Sequence, residues 1–265
     1  MNRAVLEVPL PIAVAHRGSR LLWPENTMEA FQGAVGLGFR WLETDLHRTR
    51  DGVLVCFHDD TLIRTTDGRG PVSGLDLADL RRLDAGYRFR RAGERPFRGT
   101  GVRVPTLEEV VSAFPDVSLI VDLKEDGIEE ALLALIERRS LWDRLVVGSF
   151  SDERLQRFRE LSGGRVATST GSSETFRLWR AARSSTPPPL ADAVQIPRNY
   201  RGIRVVTPAT VAGFHRGGYQ VHVWTVNREQ EMETLLGWGV DGLISDRPDV
   251  LRSVLERRGT WTGRP

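Results

Sequence analysis

Two stretches near the start of the chain concentrate reactive side chains: Ala15-His16-Arg17-Gly18, followed by Pro24-Glu25-Asn26-Thr27, and Trp41-Leu42-Glu43-Thr44-Asp45. Side chains at i and i+2 of a strand share a face, with Cα atoms about 6.6 Å apart. If the second stretch is a strand, Glu43 and Asp45 point the same way. Two anions held side by side repel unless a cation joins them or water solvates them. Further on, His58, the pair Asp122 and Lys124, and the pair His222 and Trp224 again fall at or near the ends of apolar runs. Glu43, Asp45 and Asp122 against Arg17 and Lys124 leave one negative charge when the histidines are neutral. An anionic phosphodiester would add a second, and a divalent cation neutralises that sum. Oxygen donors of this kind suit Mg²⁺ or Ca²⁺ over zinc. A metal bridging the carboxylates and a phosphoryl oxygen acts as Lewis acid and template. His16 and His58 then supply a general acid and a general base that titrate near neutrality.

Each assignment has a plainer rival. His16 and His58, taken singly, are equally well satisfied histidines; their joint placement favours catalysis. Glu43 and Asp45 could pair with arginines, and Asp122 and Lys124 with other charges at the rim. Trp224 is either packing or a wall for an apolar or glycerol-like group. His47, His215 and His222 read as surface or structural. Asn26-Thr27 reads as a helix cap with Glu25 within reach of the site, and Asp246 as a cap for the last helix.

Elements must bring these residues together. Apolar runs at Ile12–His16, Arg40–Asp45, Ser118–Leu123, Leu145–Ser149, Arg165–Thr168, Ala193–Ile196, Val221–Val226 and Gly242–Ile244 alternate with helical patterns. The helices are expected over Thr27–Leu37, Thr106–Ala113, Ile128–Arg139, Asp152–Leu161, Glu174–Arg183, Thr207–Gly213, Glu229–Trp238 and from Asp249. Strict alternation predicts a parallel sheet wrapped by helices, and eight units in this length fit an α/β fold of the TIM (β/α)8 barrel type. The open doubly wound sheet lacks its glycine fingerprint here. Val53–His58 is an added strand. Residues 59–104, rich in glycine and arginine with one weak helix at Leu77–Leu83, form a small insertion after the second barrel strand, placed where it could cover a site. Catalytic groups of such a barrel sit at the carboxyl ends of its strands, where His16, Glu43, Asp45, His58, Asp122 and Lys124 all fall.

Composition excludes several other classes. The chain has 265 residues, 40% hydrophobic, and a net charge of +2, so a single catalytic domain over 1–265 is expected and nothing calls for nucleic acid as a partner. No apolar run approaches the roughly 18 residues of a membrane span. Met1 to Pro11 makes a poor signal peptide. The one cysteine, Cys56, has no partner for an internal disulfide and reads as a buried strand residue. A soluble cytoplasmic protein without stable membrane insertion is the expectation. Lys124 is the one lysine in an otherwise arginine-based chain.

These residues carry a specific resemblance. His16-Arg17-Gly18, Pro24-Glu25-Asn26-Thr27, Glu43-Thr44-Asp45, Asp51-Gly52, His58-Asp59 with Arg64-Thr65-Thr66, Trp224-Thr225-Val226-Asn227 and Asp241-Gly242 through Asp246-Arg247-Pro248 follow in order along nearly the whole chain. Together they resemble the glycerophosphodiester phosphodiesterase family, a phosphatidylinositol-phospholipase C-like TIM barrel. The resemblance implies a metal-dependent hydrolase that cleaves glycerophosphodiesters to sn-glycerol 3-phosphate and an alcohol. It implies His16 and His58 as the acid/base pair, Arg17 as a phosphate contact and Lys124 as a phosphate or intermediate stabiliser. Glu43 and Asp45 would be metal ligands, and Trp224 part of the glycerol pocket. Asp122 departs from the family's usual glutamate, a further metal ligand, and is one methylene shorter. The implied route begins with attack of the substrate's glycerol 2-hydroxyl on phosphorus and ends with water opening the cyclic phosphate; direct attack by a metal-positioned water is the competing route. Two other readings stand beside this one: a phospholipase D-like enzyme acting on lysophospholipids, and a non-catalytic barrel that binds phosphorylated ligands.

Overall fold

The computed structural model describes residues 3–263; Met1 and Asn2, at the start of the segment weighed as a signal peptide, lie outside them, as do Arg264 and Pro265. In chain order the strands are β1 (Ile12–His16), β2 (Trp41–Arg48), β3 (Leu54–Cys56), β4 (Ser118–Leu123), β5 (Leu145–Gly148), β6 (Ala167–Thr168), β7 (Ala193–Pro197), β8 (Asn199–Tyr200), β9 (Ile203–Arg204), β10 (Gln220–Trp224) and β11 (Gly242–Ser245). The helices are α1 (Met28–Gly36), α2 (Leu77–Leu80), α3 (Leu107–Ala113), α4 (Glu129–Arg139), α5 (Asp152–Leu161), α6 (Ser172–Ala182), α7 (Pro208–Arg216), α8 (Glu229–Gly237) and α9 (Pro248–Arg257).

Eight strands run in the order β6-β5-β4-β2-β1-β11-β10-β7, every neighbouring pair parallel. The two ends of that path meet through Asp192. Its N–H donates to the Thr168 carbonyl (3.0 Å) and its carboxylate accepts from the Thr168 N–H (2.9 Å). The result is the (β/α)8 barrel the alternation predicts. Its strands are buried on both faces, as parallel strands under helices must be. The inward face carries Ile12, Val14, Trp41, Ile120, Val146, Ala167 and Ile244 as one apolar plug. The outward face packs on the helices in a second, larger cluster that includes Phe31, Leu42, Leu119 and Phe158.

One residue pair beyond the plug, the inward positions become polar. The register sets His16 beside Glu43 and Asp45 beside Asp122. Parity along each strand therefore brings the sequence-predicted acids to the carboxyl end of the barrel.

Local chemistry fixes the first βα turn. Thr27 caps α1, its hydroxyl accepting from the Ala30 N–H (3.3 Å), while Ala30, Phe31 and Ala34 are buried along the helix. Gly18 sits at φ +77°, and a Cβ there would meet the Ala30 carbonyl carbon at 2.6 Å. Only glycine meets both demands.

β3 runs antiparallel to β2. After it, the segment to Val104 holds 3₁₀ turns at Leu62–Arg64 and Val72–Gly74, and α2. It buries Leu62, Val72, Leu80, Ala85, Val102 and Val104 with Val55 and Phe57 in a small core of its own. The β8–β9 hairpin was not foreseen: Arg201 (φ 48°) and Gly202 (φ 81°) turn the chain after two-residue strands.

Candidate active site

His16 ends β1 with its Nδ1 against Asp246 Oδ1 at 2.7 Å. Asp246 is fully buried. Its other oxygen accepts from Arg20 Nε (2.9 Å) and Asn227 Nδ2 (3.0 Å), and its own N–H donates to Asn227 Oδ1 (2.8 Å). Burial alone would raise the Asp246 carboxyl, yet the bonds from His16, Asn227 and Arg20 bring it down to about 2. Asp246 is therefore not the cap expected for the last helix. It holds the His16 ring, and α9 starts with Arg247 at its cap and no side-chain bond there.

His58 follows β3 and is held the same way, Nδ1 lying 2.6 Å from Asp59 Oδ1. Arg64, from the insertion, grips Asp59 through Nε (2.6 Å) and Nη2 (2.9 Å), and grips Glu25 through Nη1 (2.8 Å) and Nη2 (2.7 Å). Glu25 in turn accepts from Arg17 Nη1 (2.9 Å). One arginine thus ties the His58 side of the site to the Arg17 side, which gives the Arg64-Thr65-Thr66 motif a physical role. With Nδ1 facing a carboxylate in both histidines, that nitrogen carries the proton and Nε2 is left to act.

Between them lie the acids. Glu43 Oε2 accepts from the Arg17 backbone N–H (3.0 Å) and stands 3.8 Å from His16 Nε2. Arg17 takes φ 51°, in the left-handed region, to make that contact. Asp45 Oδ1 meets Lys124 Nζ at 2.7 Å, while its Oδ2 meets Arg17 Nε at 3.1 Å and Asn26 Nδ2 at 2.9 Å. Asn26 serves the site and Thr27 serves the helix, since the Asn26 amide also accepts from the Thr44 hydroxyl (2.7 Å). Lys124 also bonds Asp122, so its ammonium lies between two of the three acids.

The electrostatics follow. Burial, with Asp45 alongside, pushes the Glu43 carboxyl up to about 7. Burial would raise Asp45 too, but Lys124 and Arg17 outweigh it and hold that carboxyl low. Burial keeps Asp122 above the usual carboxylate range. His16 loses basicity to burial but gains more from Glu43 and Asp246, so it is raised; His58 is lowered, mainly by burial.

Trp224 ends β10 with its ring 5.7 Å from that of Phe150, edge to face, and the Lys124 ammonium lies 5.7 Å from the Phe150 centroid. The three make one wall of the mouth. Of the histidines read as structural, His222 is buried inside the barrel between Gln195 (3.5 Å) and Gln220 (3.1 Å), and burial takes it down to about 4. His47 is buried on β2 against Glu125, and His215 is bonded to Asp241 on the outer helix α7. Sequence reasoning read Asp246 as a cap, gave Asn227 and Arg64 no role at the site although both stand in the quoted motifs, and missed Phe150. The signal for Asp59 stood in the His58-Asp59 dipeptide, whereas Asp246 is 230 positions from its partner. Among the described residues, no helix is long and apolar enough to cross a membrane.

Comparisons with known proteins give the chain its relatives. A Mycobacterium tuberculosis protein named "Probable glycerophosphodiester phosphodiesterase 2" is 41% identical over 95% of this chain and 93% of its own length. A glycerophosphodiester phosphodiesterase of Caldanaerobacter subterraneus is 31% identical over 94% of this chain and 99% of its own. The structure of an Oleispira antarctica phosphodiesterase in complex with the product sn-glycerol-3-phosphate matches with a TM-score of 0.74 at 27% identity, over 93% of this chain and 97% of that one. The family model described as "Glycerophosphoryl diester phosphodiesterase family" spans residues 16–250, from the first catalytic candidate to just past Asp246, and the chain belongs to that family.

Proposed function

We propose that the chain hydrolyses glycerophosphodiesters to sn-glycerol 3-phosphate and an alcohol, with His16 and His58 exchanging protons and a divalent cation held among Glu43, Asp45 and Asp122. The observation that carries this reading is the matched pair of imidazoles. Each is fixed at Nδ1 by its own carboxylate (2.7 and 2.6 Å), beside a buried acid pair. A packing role for two histidines would not require both to be oriented this way.

His58, lowered in basicity, is neutral at working pH and takes the proton of the glycerol 2-hydroxyl. The freed oxygen attacks phosphorus, the bond to the alcohol oxygen breaks, and His16, raised in basicity, gives that oxygen its proton. Water then opens the cyclic phosphate with the roles reversed: neutral His16 takes the proton of the water, and protonated His58 returns one to the 2-oxygen. Arg17 and Lys124 offer positive charge to the phosphoryl oxygens, and the Trp224–Phe150 wall packs against the carbon skeleton.

The acids suit a hard cation. Glu43, Asp45 and Asp122 set three carboxyls against the cations Arg17 and Lys124, and burial, with Asp45 alongside, keeps the Glu43 carboxyl raised. When bound, Mg²⁺ or Ca²⁺ supplies Lewis-acid polarisation of a phosphoryl oxygen. Glu43, Asp45 and Asp122 would hold it; in this structure Lys124 is the cation that bonds Asp45 and Asp122. A cytoplasmic setting completes the reading, supported by the single, buried Cys56.

The test is a panel of glycerophosphodiesters and lysophospholipids assayed for released alcohol, with chelator and with Mg²⁺, Ca²⁺ or Mn²⁺ restored. Turnover should vanish with chelator and return with one of the ions. His16→Ala and His58→Ala should each lower kcat by roughly 10² to 10⁴ with the far-UV circular dichroism spectrum of the folded chain retained. Glycerol phosphate binding with no alcohol released from any diester would leave only a binding barrel, and activity indifferent to chelator would remove the cation.

A further inference from the structure

Nine large hydrophobic side chains stand exposed among the described residues, and four of them share one arc of the barrel rim. Phe150 (60% exposed) follows β5, Phe176 (58%) lies on α6 after β6, and Tyr200 and Ile203 (57% each) form the β8–β9 hairpin after β7. β5 and β6 are paired, and β6 meets β7 through the Asp192 contacts, so these are three successive units around the barrel. Tyr200 and Ile203 oppose each other in the hairpin and so share a face. Contacts tie the three units together. The Phe150 carbonyl accepts from the Ser172 N–H (3.0 Å) at the start of α6, Phe176 stacks on Trp179 at 6.3 Å, and Trp179 Nε1 donates to the Val205 carbonyl (3.0 Å) beside the hairpin.

Scattered exposed apolar residues are ordinary; four of them on three successive units of one rim form a cluster. The charge here is also distinctive. Between Ser172 and Arg204 the chain carries Arg177, Arg180, Arg183, Arg201 and Arg204, besides an Arg198 paired with Glu231, while Glu174 and Asp192 pair with Arg159 and Arg3, in a protein of net charge +2. Three of these cations lie over the aromatic rings themselves: Arg180 at 6.0 Å from Phe176, Arg183 at 4.9 Å from Trp179 and Arg201 at 5.4 Å from Tyr200. Aromatic rings interleaved with arginines match the headgroup layer of a bilayer, which offers an apolar interior under an anionic surface. A projecting hairpin suits a fluid surface that needs no matching cavity. A second copy of the chain would set arginine against arginine.

We propose that this arc, from Phe150 through α6 to the Tyr200–Ile203 hairpin, docks on the surface of an anionic phospholipid bilayer and turns the barrel mouth toward it. The contact is peripheral: side chains enter the headgroup layer and no segment crosses it. Phe150 also stands in the wall of the mouth, but α6 and the hairpin hold no residue of the proposed site, so variants there separate docking from activity.

The full chain is sedimented with phosphatidylcholine vesicles and with vesicles of phosphatidylcholine mixed with phosphatidylglycerol, at low and high salt. Pelleting should need phosphatidylglycerol and weaken as salt rises. Arg180→Gln and Arg201→Gln should each weaken it about fivefold. The double variant Tyr200→Ser with Ile203→Ser should lose about tenfold or more, with an unchanged melting curve and unchanged rate on a water-soluble diester. No pelleting with the anionic vesicles, or pelleting of the double variant equal to that of the unsubstituted chain, would overturn the proposal. So would light scattering that shows a dimer abolished by the same double variant, since the arc would then be a contact between copies.

Discussion

At the scale of residues, His16 and His58 carry the same ring in opposite electrostatic settings. His16 faces Glu43 and is bonded to a buried Asp246, whereas His58 is partly exposed, next to Arg17 and Lys124, with Asp59 shared by Arg64. A base must be neutral and an acid protonated, so kcat/KM rises as pH climbs through the lowered value of His58 and falls as it passes the raised value of His16. The profile should be a bell whose limbs straddle the ordinary histidine value of about 6.5. Asp246→Asn removes one of the charges that lift His16. The alkaline limb should then move to lower pH by about one unit, with the acid limb unmoved, and a rate profile on one soluble diester reads both. Much of this site was legible from residue type and i, i+2 spacing alone, because Glu43 and Asp45 share β2 while Asp122 lies on β4 and Lys124 just past its end. Asp246 was not. An aspartate just ahead of Arg247-Pro248 has the local look of a helix cap, and no local pattern records a bond to the far end of the chain.

Among the elements, the first βα turn does the most with the least. It turns Arg17 into the left-handed region so that its N–H reaches Glu43, and it lets Gly18 lie against Ala30 of α1. Gly18→Ala asks for both a disfavoured φ and room that is not there, so α1 must back away. The expected loss is at least about 2 kcal/mol in urea denaturation, with kcat falling too because Arg17 shifts with the turn. The barrel elements were readable because strands buried on both faces show as unbroken apolar runs and helices as a different period. Met28–Gly36 and Glu129–Arg139 fall within a residue or two of expectation. The hairpin was missed because two-residue strands have no periodicity; the one clue was Arg201-Gly202, a turn dipeptide that takes two positive φ values. The insertion looked unstructured for a related reason. Its core residues are spread from Leu62 to Val104, so they form a cluster without forming a pattern.

For the molecule as a whole, closure of the barrel depends on a side chain where the backbone ladder stops. Asp192 satisfies the Thr168 N–H and is itself bonded to Arg3 Nε at 3.0 Å. Asp192→Ala leaves that N–H without a partner at the seam. It should cost about 1–3 kcal/mol, seen as a lower urea midpoint, while kcat on a soluble diester holds near its unsubstituted value because the acids and both histidines lie on other strands.

β1 closes the ring against β11, so His16 finds its carboxylate on Asp246, and the two are separated by 230 positions. A ribosome must therefore make every residue from His16 through Asp246 before that imidazole can be set. A growing chain with its first seven barrel strands already emerged would hold Glu43, Asp45 and His58 yet still lack the group that orients His16. Competence at this mouth waits on the last strand of the barrel.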